Sequence, residues 1–211
     1  MVLIPWTSFT LYGKVWLLTK DDALFGEGKL TLSTEGPSMS GYVRMFVGIP
    51  DAKGSILSFD GKIAFMYSGA EKYIKSEKLN GLVMRALKAE GIVDITEKHI
   101  LLKGSLRYDL DKKLSLGVVD FYLNIHASAS GSFFYDNPKS SLTADAGFDG
   151  SIDLKGDFPF FGMSTLVAGS VHLDAKLAAS PGSIKLSGKV HVDYSVFGYS
   201  DSLDLDAGYE G

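Results

Sequence analysis

Apolar and polar residues alternate with a period of two along most of the chain, which predicts strands that keep one face dry and the other wet. Phe9, Leu11, Gly13, Val15 and Leu17 share one such row, and Lys20-Asp21-Asp22 reads as the turn that ends it. A second strand is expected over 24–33, closed by Glu35-Gly36-Pro37, and a third over 42–49, closed by Pro50-Asp51. Ile56 to Phe59 and Lys62 to Tyr67 flank Asp60-Gly61. That dipeptide is a hairpin signal, because a type I′ turn needs positive φ at both central residues.

One segment departs from period two. Leu79, Leu82, Val83, Ala86 and Leu87 fall at i, i+3, i+4, i+7 and i+8, the stripe of an amphipathic helix. Ser76 suits its N-cap, Glu77 the positive helix start and Gly91 the C′ position. The pattern therefore predicts one helix near residues 77–90, packed on a sheet or closing a barrel end.

Beyond residue 91 the alternation becomes more regular. Leu102, Gly104, Leu106, Tyr108 and Leu110 run up to a turn at Asp111-Lys112. Leu114, Leu116 and Val118 start the next row on even numbers, but Val119 to Phe133 continue it on odd ones. One extra residue exchanges the two faces of a strand, so this phase change predicts a β-bulge at Val118-Val119. After Asn137-Pro138 the row from Leu142 to Leu154 is apolar on even positions, while Asp145, Asp149 and Asp153 stand on the other face. Val167 to Leu177, Ile184 to Val196 and Leu203 to Tyr209 repeat the design, and Ser180-Pro181-Gly182 carries the chemistry of a type II turn. These strands span about 13 to 17 residues, against a usual length near 5 to 6.

Many strands open on Gly followed by Ser or Lys, as in Gly28-Lys-Leu-Thr-Leu, Gly150-Ser-Ile-Asp-Leu and Gly169-Ser-Val-His-Leu. Their spacing is irregular, which excludes a fixed-period solenoid and leaves glycine as a marker of strand starts, bends and bulges. The expected fold is mainly β: an antiparallel sheet, barrel or curled groove with long C-terminal strands and the one amphipathic helix. It forms a single β domain over 1–211, with a short-strand region at 1–75, the helix at 76–91 as connector and a long-strand meander at 92–211. Over residues 102–209 at most, the texture of Gly-started alternating strands resembles that of the AsmA and TamB group of bacterial lipid-transport proteins, with no motif specific to them.

Composition narrows the functional classes. A net charge of −4 and the absence of a basic stripe argue against nucleic acid as a partner. With no cysteine the chain has no disulfide, thiol nucleophile or thiolate metal site. No signal peptide is visible in Met1 to Trp6, and no run approaches the ~20 apolar residues of a membrane-crossing helix, whereas a transmembrane barrel would show only alternation. The compartment is left unknown, with the cell envelope or the exterior slightly favoured.

Few residues invite chemistry. If Pro181-Gly182 closes a hairpin, His172 and His191 become diagonal neighbours beside Asp174 and Asp193, a group better read as polar dressing of a wet face than as a metal or acid–base site. The aspartates at 145, 149, 153, 204 and 206 alternate along strands and do not form the curled loop that Ca²⁺ prefers. No nucleophile elbow, P-loop, dinucleotide fingerprint or HExxH sequence occurs. The segment Lys155 to Met163 instead places Phe158, Phe160, Phe161 and Met163 in a connection, where exposed aromatics cost solubility unless they meet something. Phe197 and Tyr199 lie in a second connection expected at the same end of the sheet. These six residues are the candidate ligand- or partner-binding set, with no catalytic residue, metal or cofactor. The expected function is non-enzymatic: a lipid or other apolar ligand held in a groove or barrel. The alternatives are a structural or interaction subunit assembling through strand edges, with 203–209 as the edge, and an outer-membrane barrel.

Overall fold

Among the described residues every element is a β-strand. The computed structural model describes residues 8–16, 24–34, 36, 38–51, 54–83 and 86–211. The N-terminal hexapeptide and the Lys20-Asp21-Asp22 turn lie outside these residues. The strands are β1 (Ser8–Trp16), β2 (Leu24–Ser33), β3 (Ser38–Asp51), β4 (Gly54–Tyr67), β5 (Lys72–Ser76), β6 (Leu79–Val83) and β7 (Leu87–Thr96). They continue as β8 (His99–Leu116), β9 (Val119–Asp136), β10 (Ser141–Phe158), β11 (Gly162–Ser180), β12 (Ser183–Val196) and β13 (Tyr199–Glu210). All join one antiparallel sheet in near-sequential order, β1-β2-β3-β4-β5-β7-β8 through β13, with β6 between β4 and β7. The chain divides into unit 1 (Met1–Gly104 with Phe134–Lys139) and unit 2 (Ser105–Phe133 with Ser140–Gly211).

The expected helix at 77–90 does not form. Its first half is β6, which pairs with β4 through Leu57↔Val83 and Asp60↔Asn80 and with β7 through Leu79↔Gly91. β5 pairs with the other half of β4, from Ile63↔Ser76 to Tyr67↔Lys72, so β5 and β6 share one place in the sheet, broken at Glu77-Lys78. The helical spacing loses for local reasons. Asn80, Gly81 and Val83 are weak helix formers, and both flanking strands are present to satisfy the backbone. Ser76 is no N-cap: its hydroxyl accepts a bond from Val93 N–H at 2.7 Å. Glu77 pairs with Lys62 at 2.7 Å instead of facing a helix start.

Two turn expectations also fail. Asp60-Gly61 lies inside β4, where Asp60 accepts bonds from Arg44 at 3.1 and 3.2 Å. Gly61 serves packing there: a Cβ on it would stand 2.7 Å from Leu79 and 2.9 Å from the Phe59 ring. At Val118-Val119 there is no bulge but a reversal, in which Gly117-Val118 connects β8 to β9 and Gly117 takes φ +66°. A two-residue hairpin shifts the numerical phase just as a bulge would, and the two are indistinguishable from parity alone. Asp111-Lys112, expected as a turn, is inside β8, which therefore reaches 18 residues. Pro181-Gly182 does turn the chain, with Gly182 at φ +82°.

Glycines within the strands make room for rings. Phe65 covers Gly41 from the paired position on β4, and Phe148 and Phe158 fold over Gly150 and Gly156 two residues away on their own strand. An aromatic laid on a strand glycine restores the packing surface that the missing side chain lacks.

No apolar side chain among the described residues is buried. Large apolar side chains in both units stand well exposed, among them Leu11, Val43, Leu106, Leu114, Leu186 and Leu205.

Candidate functional site

In unit 2 the registers place the apolar rows of four strands side by side. Phe148, Leu173, Val190 and Leu205 form one transverse row on β10 to β13, and Gly150, Val171, Val192 and Leu203 form the next. Ala146, Ala175, Gly188 and Ala207 form a row of small residues, followed by Ala144, Leu177, Leu186 and Tyr209. The row of small residues carries less side-chain volume than the rows on either side of it. Phe148, Ile152, Ile184, Leu186, Leu203 and Leu205 remain substantially exposed on this face.

One end of unit 2 carries the predicted aromatic residues. The connection after β10 is shorter than the sequence implies, since β10 runs through Phe158 and β11 begins at Gly162, leaving Pro159-Phe160-Phe161 as the turn. Phe160 and Phe161 are 92% and 85% exposed, and Met163 is exposed beside them. Phe158 has a different place: its ring covers Gly156 and meets Phe121 edge-on, with centroids 6.4 Å apart. The turn between β12 and β13 is Phe197-Gly198 with φ +48° and +85°, the pair of positive values of a type I′ turn. For a phenylalanine this conformation costs on the order of 1–2 kcal/mol, yet the side chain is 78% exposed. Phe197 N–H donates to Leu166 O at 2.9 Å. Leu166 is the extra residue where the β10–β11 register shifts at Leu154/Lys155, so the Phe197-Gly198 turn sits against β11 at the same end of the sheet, while residues 162–166 carry the Pro159-Phe160-Phe161 turn further out along the strands. Tyr199, also exposed, pairs with Val196. Sequence parity did not single out the third member of this end, the Gly117-Val118 turn, where Leu116 and Val118 are exposed.

On the opposite face of unit 2 lies a row of histidine and aspartate. His172 and His191 sit directly opposite each other on β11 and β12, not diagonally, because the two-residue turn sets Ser180 against Ser183. Asp149 and Asp174 flank His172, with Asp174 at 3.0 Å, and Asp204 and Asp193 flank His191 at 2.6 and 2.9 Å. Hydrogen bonds first to Asp149 and then to Asp174 raise the His172 pKa, and Asp204 followed by Asp193 does the same for His191. Both nitrogens of each ring are thereby engaged. Among the described residues no group of three or more His, Asp or Glu is placed to hold a metal ion. A concavity of ≈ 710 Å³ nearby is lined by Ser151, Asp153, Ser170, Asp193, Ser195 and Ser202 among others.

The chain matches no protein-family model, no curated protein and no solved structure. Its own geometry is therefore what bears on function. In unit 1 a separate apolar cleft of ≈ 420 Å³ is lined by Met39, Phe65, Tyr67, Tyr73, Ile74 and Ile95, among others, with Lys72 and Glu97 at its rim 2.5 Å apart. It shares its chemistry with the face of unit 2, an apolar surface that no protein layer covers.

Proposed function

We propose that this protein binds lipid or another elongated apolar ligand along the dry face of its long strands and catalyses no reaction. One observation carries the reading: strands that separate wet from dry residues over 12 to 19 positions leave the dry side uncovered. Water on that much apolar surface is unfavourable at about 25 cal/mol per Å², and exposed apolar patches beyond a few hundred Å² usually mark an interaction site. The row of small residues Ala146, Ala175, Gly188 and Ala207 suits a chain-like ligand, since small side chains permit close approach. Across the middle of β10 to β13 the dry face is apolar, with Asp201 beside Tyr194 only towards the turn end, which suits a ligand recognised by shape and apolarity rather than by hydrogen bonds.

Purification without detergent followed by native mass spectrometry and lipid extraction tests this. Lipid should accompany the wild-type protein, and Phe148→Asp with Leu173→Asp, which puts charge into the middle of the face, should abolish its recovery. A ligand-free wild-type monomer would refute the reading.

A second reading has its own support. β13 ends the strand order, and all twelve of its residues are exposed, including Leu203, Leu205 and Tyr209. An open edge of that length can take another strand by main-chain pairing.

A further inference from the structure

We propose that the turns at one end of unit 2 insert into the interfacial layer of an electrically neutral lipid bilayer, so that the sheet stands with that end on the membrane. Strand order brings three turns to this end, namely Gly117-Val118, Pro159-Phe160-Phe161 and Phe197-Gly198. Phe121 against Phe158 joins the first two, and Phe197 N–H on Leu166 O seats the third against β11. Leu116, Val118, Phe160, Phe161, Phe197 and Tyr199 are among the most exposed apolar residues described.

The turns at the other ends of the same strands are made differently. β9 connects to β10 through Asn137-Pro138-Lys139-Ser140, and β11 to β12 through Pro181-Gly182, with no large apolar residue in either. Apolarity thus belongs to one end and is not a general property of the connections. Nor does backbone geometry demand it. Phe197 occupies a left-handed conformation that glycine or asparagine takes at less cost. Its ring packs against nothing that would repay the choice, since it projects into solvent.

Charge and shape decide the occupant. Anionic headgroups are captured by clusters of lysine and arginine beside the inserting residues. Here the nearest lysines are already paired, Lys113 with Asp120 at 2.6 Å and Lys155 with Asp153 at 2.7 Å. Asp157 and Asp201 add negative charge next to the aromatic turns. Such an end fits a zwitterionic surface and binds through buried apolar area. A protein partner needs a surface complementary to separate projecting turns, whereas lipid rearranges around them, and aromatic rings favour the bilayer interface.

The inference rests on the lipid-binding reading only for what the docked sheet then does; docking itself is independent of it. Co-sedimentation of the full chain with phosphatidylcholine vesicles tests the docking. Wild-type protein should bind, with less than about a twofold change at ~0.5 M NaCl. Phe160→Asp, Phe161→Asp and Phe197→Asp together should weaken binding at least about tenfold. Leucine at the same three positions should retain binding within about threefold, which separates apolarity from folding. The face variant carrying Phe148→Asp and Leu173→Asp should still bind vesicles even where it no longer carries lipid. The proposal is overturned by a wild-type protein that ignores these vesicles, by an aspartate variant that binds undiminished, by binding that salt abolishes, or by a solution dimer that the aspartate variant dissolves.

Discussion

Single residues show where this sheet tolerates change. A Cβ on Gly41 would stand 2.2 Å from Lys29 O and 2.9 Å from the Phe65 ring, whereas one on Gly13 meets nothing within 4 Å. Gly41→Ala should therefore cost about 1–3 kcal/mol in urea unfolding, the usual penalty of overpacking. Gly13→Ala should be neutral or stabilise by up to about 1 kcal/mol, because it only narrows the unfolded ensemble. Equal effects at the two sites would contradict the contacts. The histidine row makes a second prediction. Carboxylates raise the folded-state pKa of His172 and His191, so the stabilisation is complete below the unfolded value near ~6.5 and disappears as pH rises through the raised folded value. Besides the four flanking aspartates, Lys189 faces this row through its pairing with Asp174. His172→Gln with His191→Gln should lower the thermal midpoint more at about pH 5.5 than at about pH 9, and a pH-independent loss would remove the row from the account. The participants were legible as residues, but their direct opposition was not, since it depends on a turn length that only the fold reveals.

At the scale of elements, period two held wherever it was sustained, and the long rows after residue 91 became strands of 12 to 19 residues. The reading failed where a short pattern had two solutions. Residues 77–90 satisfy helical spacing, but β4 and β7 supply pairing on both sides of β6, and tertiary pairing overrides weak local preference. Asp60-Gly61 satisfies turn chemistry, but the glycine is needed to admit Leu79 and Phe59. A phase change can be a bulge or a hairpin, and Gly117 at positive φ settles which one occurs. The edge character expected for 203–209 belongs to β13, which ends the strand order. If copies associate through that edge, Leu203→Lys with Leu205→Lys should remove concentration-dependent association in light scattering, because edge charges oppose strand addition. Association that survives the change would point to another contact.

For the whole molecule, alternation by itself determined the antiparallel β class and the wet and dry faces, because a period of two is a local property that sheet geometry reads directly. Composition likewise argued against a basic nucleic-acid surface without reference to the fold. Tertiary structure alone decided which residues share a transverse row, because register depends on turn lengths and on the shift at Leu154/Lys155. It alone separated Phe158, which covers Gly156, from Phe160 and Phe161, which face solvent. It also decided that the dry faces stay uncovered. A sequence marks a residue as apolar, but whether a second layer arrives to cover it depends on how all the strands are shared out, and here every described strand entered one sheet.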